Sequence, residues 1–180
     1  MNRLINASAH KTGIESGSIH AVITSPPYWG LRKYAGEQGI EWDAVTYAPM
    51  AGLPEIEIPA MRCGLGEEPT PESYIGHLIL VMREMWRVLS DDGTAWVNLG
   101  DSYNGSGGAG GDYSEDGLKF GQPKYPGRRI SGLKPKDLVM IPARFALAAQ
   151  ADGRYLRSDI IWSKPNPMPE SVTDWTISTG

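Results

Sequence analysis

Apolar residues along this chain form short continuous runs in some places and a helical repeat in another. Four runs of apolar and β-branched residues predict β-strands, at residues 3–6, 20–24, 94–99 and 155–162. Between residues 75 and 89 the apolar positions instead recur every three or four residues, which indicates one face of an α-helix. The pattern therefore predicts a fold that mixes strands and helices.

The helix predicted from residue 71 to about residue 89 carries recognisable signals at both ends. Thr70 is suited to the N-cap, and Pro71 is suited to the first helical position, where its missing N–H has no partner to lose. Glu72 is favoured by the positive end of the helix dipole. The Asp-Asp-Gly sequence at residues 91–93 then ends the helix.

A second helix is predicted over residues 138–151, with Gly153 closing it. Pro142 either kinks this helix or starts its main part. The order along the chain is then strand, strand, long loop, helix, strand, glycine-rich loop, helix and strand. This alternation predicts an α/β fold, in which a mostly parallel sheet is flanked by crossover helices.

The length of 180 residues predicts one domain over residues 1–180, with enough chain for a sizeable core. Two connections, residues 34–69 and 100–136, are longer than a compact domain usually contains without a function or disorder. Within the second connection, residues 105–111 read GSGGAGG and are predicted to form a flexible surface loop.

Composition narrows the class of protein. Apolar residues make up 41% of the chain and charged residues 21%, which is typical of a globular protein. No apolar run is long enough to cross a bilayer, and the start of the chain lacks the apolar core of a signal peptide. Cys63 is the single cysteine beside three scattered histidines, so neither a disulfide nor a metal site is expected. We therefore expect a cytoplasmic protein.

Charge is distributed unevenly, although the net charge is only -4. Acidic residues dominate residues 37–72, whereas residues 119–136 contain basic residues and no acidic residue. These basic residues are Lys119, Lys124, Arg128, Arg129, Lys134 and Lys136. Mixed with Gly, Pro and Tyr, they could track a phosphate backbone and so bind DNA. A solvated loop explains the same charges equally well.

The segment VITSPPYWGLRKY at residues 22–34 has the most distinctive chemistry. Pro26 and Pro27 cannot donate to a β-ladder, so they end the strand abruptly and form a stiff loop at its carboxyl end, where ligands bind in open α/β sheets. The Ser25 hydroxyl and the Pro26 carbonyl could accept both N–H groups of an exocyclic amine. Tyr28 could stack on the ring of a base extruded from a duplex. The alternative is a proline-rich turn whose aromatic side chains pack into the core.

The sequence TSPPYWGLRKY resembles the catalytic motif of the amino-directed DNA methyltransferases, which methylate N4 of cytosine or N6 of adenine with S-adenosylmethionine. Residues 67–107 resemble the helix and strand that follow in that family, and residues 133–174 resemble its next helix and strand. This second segment ends in a W-x-K-x-N pattern at Trp162, Lys164 and Asn166. The motif order is similar to the subtype in which the glycine motif for the cofactor follows the catalytic motif.

The resemblance implies a partial Rossmann-like methyltransferase fold, S-adenosylmethionine as cofactor, DNA as partner and a role in restriction–modification. It implies Ser25, Pro26, Pro27 and Tyr28 as the target-base site. Trp29, Asn98 and Asp101 are implied as further residues of the pocket. A serine at the first motif position favours cytosine N4 over adenine N6. Methylation at ring C5 needs a cysteine after proline, whereas Cys63 follows Arg62.

The chain departs from the family at the cofactor motif. A turn of the D-P-F-x-G-x-G type is absent, and residues 105–111 lack both its Asp-Pro-Phe and a following helix start. The cofactor-binding residues are therefore unknown. We expect a C-terminally truncated member whose missing half could lie on a second polypeptide. The alternatives are an inactive remnant that retains weak DNA binding, and a methyltransferase that acts on protein or RNA through a similar loop.

Overall fold

Six strands and two helices form in the part of the chain that the computed structural model describes, residues 4–31, 38–105, 129–163 and 165. In chain order they are β1 (Ile19–Thr24), β2 (Ile40–Trp42), β3 (Val45–Tyr47), β4 (Ile56–Ile58), β5 (Met61–Cys63), α1 (Pro71–Val88), β6 (Leu89–Val97) and α2 (Ile141–Ala151). The predicted mixture of strands and helices is confirmed.

Strands β1 and β6 form a parallel pair, and α1 lies between them along the chain. Their register runs from Ala21 opposite Thr94 to Thr24 opposite Val97. A strand, a helix and a second parallel strand form a crossover unit, as the alternating order predicted. Parallel pairing puts the carboxyl ends of β1 and β6 at the same edge. The described sheet contains these two strands, so the Rossmann-like fold stays a prediction.

The connection expected as a long loop over residues 34–69 contains two antiparallel strand pairs instead. β2 pairs with β5, and β3 pairs with β4, which both lie between β2 and β5 along the chain. Each of these strands has three residues, with a polar residue between two apolar ones. Alternation identifies a strand from sequence over roughly four to eight residues, so strands this short escape the pattern.

Helix α1 begins where the sequence predicted and ends one residue earlier. Thr70 Oγ1 accepts a hydrogen bond from the Ser73 backbone N–H at 3.1 Å, so the predicted N-cap is confirmed. The strand pairs pack directly on the helix backbone at Gly76, where an added Cβ would lie 3.0 Å from the side chains of Val45 and Ile58. The core is therefore centred on α1.

Helix α2 starts at Ile141, three residues later than predicted, because Pro142 lies in its first turn and starts the helix rather than kinking it. The preceding residue, Met140, has a left-handed backbone with φ 64°. Ile141 and Phe145 join the core that α1 centres. Within the described chain, neither helix combines the length and the apolar character that a membrane span requires.

Two predicted strands do not form among the described residues. Residues 4–6 and 155–162 have no strand pairing. In the second segment Ile160, Ile161 and Trp162 are 68%, 80% and 75% exposed. An apolar run becomes a strand only beside a neighbouring strand and under a covering layer, and the described chain supplies neither here. Lys164, Asn166 and most of the glycine-rich run at residues 105–111 lie outside the described residues.

Candidate functional site

The loop after β1 carries the residues that the sequence predicted as the target-base site. Ser25 is exposed at its start, Pro26 is buried, and Pro27 and Tyr28 are half-buried. Trp29 is buried, and its indole N–H donates at 3.0 Å to a backbone carbonyl of the segment before α1. The loop is thus anchored at Trp29 and leaves Ser25 open to solvent.

Three side chains converge where the two parallel strands end. The Asn98 backbone N–H donates to the Thr24 carbonyl at 2.9 Å, which continues the β1–β6 ladder by one residue. The Asn98 side-chain amide donates to the Tyr28 hydroxyl oxygen at 2.9 Å. The Ser25 Oγ lies 3.4 Å from both the Tyr28 Oη and the Asn98 Nδ2. The structure therefore brings the predicted residues Ser25, Tyr28 and Asn98 into one polar cluster.

Gly100 supports Tyr28 in a way that the sequence analysis missed. An added Cβ at Gly100 would lie 2.6 Å from the ring carbons Cδ2 and Cε2 of Tyr28. The aromatic ring therefore lies directly on the glycine backbone. A glycine beside a strand end can mark the close approach of another group, and that was the available signal.

The two proline carbonyls of the loop differ in their partners. The Pro27 carbonyl accepts a hydrogen bond from the Tyr74 hydroxyl at 2.8 Å. No donor among the described residues reaches the Pro26 carbonyl. The end of the loop is fixed separately, because the Gly30 N–H donates to the Gly66 carbonyl at 3.0 Å. The Pro26 oxygen is therefore the proline carbonyl that the described chain leaves unused.

A cavity of about 190 Å³ opens beside the first half of the loop. Ser25, Pro26 and Pro27 form part of its wall, and most other lining residues are apolar side chains from α1, β6 and α2. Tyr28 and Asn98 are not in the wall. Pockets for drug-sized ligands measure roughly 300–1,000 Å³, so this cavity suits a smaller group.

The sequence of this chain matches a family model described as DNA methylase over residues 19–178. The match includes β1, the S-P-P-Y loop, both helices and β6. The chain belongs to the DNA methylase family. Its fold has an α/β character with a parallel strand pair, and its Ser25–Tyr28 loop stands at the edge where those strands end.

Three relatives of this chain are named Type II methyltransferases. M.Cfr9I of Citrobacter freundii is 40% identical, M.XycI of Xanthomonas campestris pv. cyanopsidis is 42% identical, and M.SmaI of Serratia marcescens is 42% identical. The matches cover 89%, 89% and 90% of this chain, but 45%, 45% and 47% of the relatives. The chain thus spans about half the length of the curated relatives it matches. No solved structure gives a significant match.

Asp101 accepts hydrogen bonds from two backbone N–H groups, one of them at the start of α2. Its Oδ1 accepts hydrogen bonds from the Ser102 N–H at 2.8 Å and from the Ile141 N–H at 3.0 Å. A carboxylate in this position caps a helix and is favoured by the helix dipole. Asp101 therefore ties the end of β6 to α2, and its place in the base pocket stays a prediction.

The basic residues predicted to contact DNA are described only in part. Lys119, Lys124 and Arg128 lie outside the described residues, whereas Arg129, Lys134 and Lys136 are exposed. The buried Asn104 organises this segment, because its side chain bonds the backbone of residues 130, 133 and 134. The role of Asn104 has no local signal in the sequence, since its partners lie 26 to 30 positions away. DNA contact by the basic residues stays a prediction.

Among the residues that the structure describes, one group of possible metal ligands occurs. Cys63, Glu68 and His77 each place a ligand atom within 4.8 Å of the others. Glu68 Oε1 lies 2.9 Å from His77 Nδ1, and Glu68 Oε2 accepts from the Gly66 N–H at 2.8 Å. Each carboxylate oxygen of Glu68 thus already binds a protein group. This arrangement favours a structural role for the buried Glu68–His77 pair.

Proposed function

We propose that this protein is a site-specific DNA methyltransferase that transfers a methyl group from S-adenosylmethionine to the exocyclic amino group of a flipped base, within a restriction–modification system. Cytosine N4 is the favoured position, and adenine N6 is the second. The observation that carries the proposal is the cluster of Ser25, Tyr28 and Asn98 beside the unused Pro26 carbonyl, in a chain of the DNA methylase family.

The chemistry of an exocyclic amino group explains why two acceptors are needed. Its nitrogen is a poor nucleophile, because the lone pair is delocalised into the ring. Acceptors that bind both N–H groups favour a pyramidal nitrogen, and its lone pair can then attack an electrophile. Ser25 Oγ and the Pro26 carbonyl oxygen are acceptors on adjacent residues of a rigid loop. Positioning of this kind contributes much of the rate and requires no covalent enzyme intermediate.

Tyr28 is the side chain that would hold the face of the extruded base. Stacking between aromatic side chains is a common way to hold a flipped base. The hydroxyl of Tyr28 is bound by Asn98 at 2.9 Å, and its ring rests on Gly100. Because the ring is already fixed at two points, it loses little freedom when a base stacks on it.

S-adenosylmethionine would provide the electrophilic methyl group, but the described residues do not fit it. The D-P-F-x-G-x-G turn is absent from the sequence. Gly66 and Gly100, which lie beside the loop, face atoms of Tyr28 rather than an open cradle. No transfer step follows from these residues, and we place the donor site elsewhere in the protein.

The preference for cytosine N4 rests on the resemblance at Ser25, since serine at this motif position accompanies cytosine and aspartate accompanies adenine. A neutral hydroxyl can accept a hydrogen bond from one N–H of the amino group and donate its own hydrogen to another acceptor. An aspartate is a stronger acceptor that carries charge. The base that is methylated is therefore a direct test of this part of the proposal.

The second candidate is an inactive remnant that binds DNA weakly. It is favoured by a bare sheet face, where Ile23 lies opposite Trp96 with 83% and 52% of their surfaces exposed. Parallel sheets are normally covered on both faces. Further polypeptide, in the same protein or as a second chain, would cover this face and complete the enzyme.

One experiment distinguishes the two candidate functions. The protein is incubated with radiolabelled S-adenosylmethionine and mixed-sequence DNA, and the nucleosides are then analysed for label. Label in N4-methylcytosine supports the proposal. Label in N6-methyladenine supports amino methylation but overturns the base preference. DNA binding without label supports the inactive remnant.

A further inference from the structure

Tyr74 joins the core to the candidate site. It lies in the first turns of α1 with no exposed surface, and its hydroxyl donates to the Pro27 carbonyl at 2.8 Å. Burial raises the pKa of the Tyr74 hydroxyl, and the nearby Glu68 carboxylate raises it further. The hydroxyl therefore stays protonated and remains a donor throughout the physiological range.

The hydrogen bond of Tyr74 makes two otherwise similar carbonyls unequal. Pro26 and Pro27 each present a carbonyl without a backbone N–H of their own. Tyr74 occupies the Pro27 oxygen, whereas no described residue donates to the Pro26 oxygen. A loop that turned by one residue would exchange these roles and present the wrong carbonyl beside Ser25.

The Gly66 backbone is a second support for the same loop. An added Cβ at Gly66 would lie 3.0 Å from the Tyr28 carbonyl oxygen, so the loop rests on the Gly66 backbone. The Gly66 N–H is held by the buried carboxylate of Glu68, which in turn pairs with His77. His77 lies three residues after Tyr74, and positions so spaced share one face of a helix. One face of α1 therefore carries both supports.

We propose that Tyr74 is a positioning residue that sets the register of the S-P-P-Y loop, so that the Pro26 carbonyl and not the Pro27 carbonyl meets the amino group of the target base. This inference rests on the proposed function, because it names what holds that base site in place. Tyr74 touches neither the base nor the donor, and it acts through Pro27.

A matched control exists in the same core. The hydroxyl of Tyr47, which is also buried, donates to the backbone carbonyl of Glu72 at 2.9 Å, and Glu72 lies in the first turn of α1. Tyr47→Phe and Tyr74→Phe each remove one buried hydroxyl that donates to a backbone carbonyl. A purely structural role predicts similar consequences for the two variants, whereas a positioning role predicts a difference confined to the loop.

The first measurement is hydrogen exchange of the peptide that covers residues 25–31, followed by mass spectrometry. We expect exchange about 10-fold faster in Tyr74→Phe than in the wild type, and unchanged in Tyr47→Phe. Glu68→Gln weakens the second support and should therefore also speed up hydrogen exchange in this peptide. It replaces Tyr74→Phe in the experiment if that variant does not fold. Equal exchange in all four proteins would overturn the inference.

The second measurement is photo-crosslinking to single-stranded DNA in which 5-iodocytosine is flanked by random nucleotides. We expect the wild type to crosslink at Tyr28, and Tyr74→Phe to lose about five-fold in crosslink yield at saturation without a change in half-saturating DNA concentration. Tyr47→Phe should keep the full yield. Yields that are equal in the two variants contradict the positioning role. Absence of the Tyr28 crosslink in a wild type whose loop is protected from exchange contradicts the proposed base site instead.

Discussion

The side-chain amide of Asn98 donates to the hydroxyl oxygen of Tyr28 at 2.9 Å, although the two residues are 70 positions apart. The contact exists because β1 and β6 are parallel, so Asn98 follows β6 at the edge where Ser25 follows β1. Two loops that are distant in sequence thereby build one polar surface. This is the edge at which open α/β sheets bind ligands.

Removal of the site side chains should affect methyl transfer much more than DNA binding. Ser25→Ala removes one acceptor for the amino group, and Tyr28→Ala removes the stacking surface. Loss of reactant positioning can cost about 100-fold in rate, so we expect losses of that order in each variant, with DNA affinity within about three-fold of wild type. Single-turnover transfer of labelled methyl groups, in a preparation with methyl-transfer activity, and filter binding of DNA measure the two quantities. Unchanged turnover in both variants would refute the assigned site.

Gly100→Ala should be destabilising only while Tyr28 is present. The new Cβ would lie 2.6 Å from two ring carbons of Tyr28, so the ring or the strand end has to move. Overpacking of this kind costs about 1–3 kcal/mol. In a Tyr28→Ala background the clash is gone, and we expect Gly100→Ala to change the free energy of unfolding by less than about 0.5 kcal/mol.

The double-mutant cycle for Gly100 and Tyr28 is measured by urea denaturation of the four proteins. A coupling energy near zero would show that the ring does not rest on the glycine in solution. The same variants also report on the site, because a displaced Tyr28 ring should release the Asn98 amide.

Local sequence signals predicted the elements that depend on local chemistry. Thr70 and Pro71 mark the start of α1, and the prolines after Thr24 mark the end of β1, because caps and missing N–H groups act within a few residues. The prediction of a strand at residues 155–162 was wrong, since strand formation there depends on a neighbouring strand that the described chain lacks.

The site could be predicted only as a set of residue types. Ser25, Tyr28 and Asn98 were identified from a motif and a strand end, and their convergence follows from parallel pairing. The support from Tyr74 was not predictable, because it acts through a single long-range contact that leaves no periodic pattern. For Gly100 the sequence offered one signal, a glycine beside a strand end, which does not identify Tyr28 as its partner. An element boundary is a local property, whereas a supporting contact is a property of the folded chain.

The protein should bind S-adenosylmethionine poorly if it contains only these 180 residues. The motivation is the missing D-P-F-x-G-x-G turn, without which the methionine portion of the donor has no glycine cradle. We expect isothermal titration calorimetry to show no saturable heat at donor concentrations up to about 1 mM, which corresponds to less than about 4 kcal/mol of binding free energy. Tight stoichiometric binding would contradict the prediction and would place a donor site in this chain.

Glu84 should make stability depend on pH in the acid range. Hydrogen bonds from Arg87, and further ones from Thr12, lower the pKa of Glu84 to about 2 from its ordinary value of 4.5. Because the folded-state pKa is the lower one, the stabilisation is fully present above the unfolded value and is lost as the pH falls toward the folded value. Wild type should therefore exceed Glu84→Gln in stability at pH 7, with a difference that shrinks between about pH 4.5 and pH 2.

Urea denaturation of wild type and Glu84→Gln at a series of pH values tests this dependence. Glu55→Gln is the matched control, because Glu55 is exposed and forms no side-chain hydrogen bond within the described chain. A difference between wild type and Glu84→Gln that stays constant from pH 7 to pH 2 would rule out the linkage to Glu84.

The bare face of the parallel strand pair should drive self-association of the chain. Ile23 and Trp96 lie opposite each other in register, with most of the Ile23 surface and about half of the Trp96 surface exposed. Adjacent exposed apolar side chains on an uncovered sheet attract other apolar surfaces.

Ile23→Thr removes apolar surface from this face, so it should reduce association at high protein concentration. Because it keeps a β-branched residue in the strand, it should change the free energy of unfolding by less than about 0.5 kcal/mol. Ile79→Thr, in the fully buried core of α1, should instead lose about 2 kcal/mol or more of stability. Sedimentation velocity over a range of concentrations, together with urea denaturation, separates the two effects. Association that persists unchanged in Ile23→Thr and in Trp96→Thr would mean that the contact surface lies elsewhere on the chain.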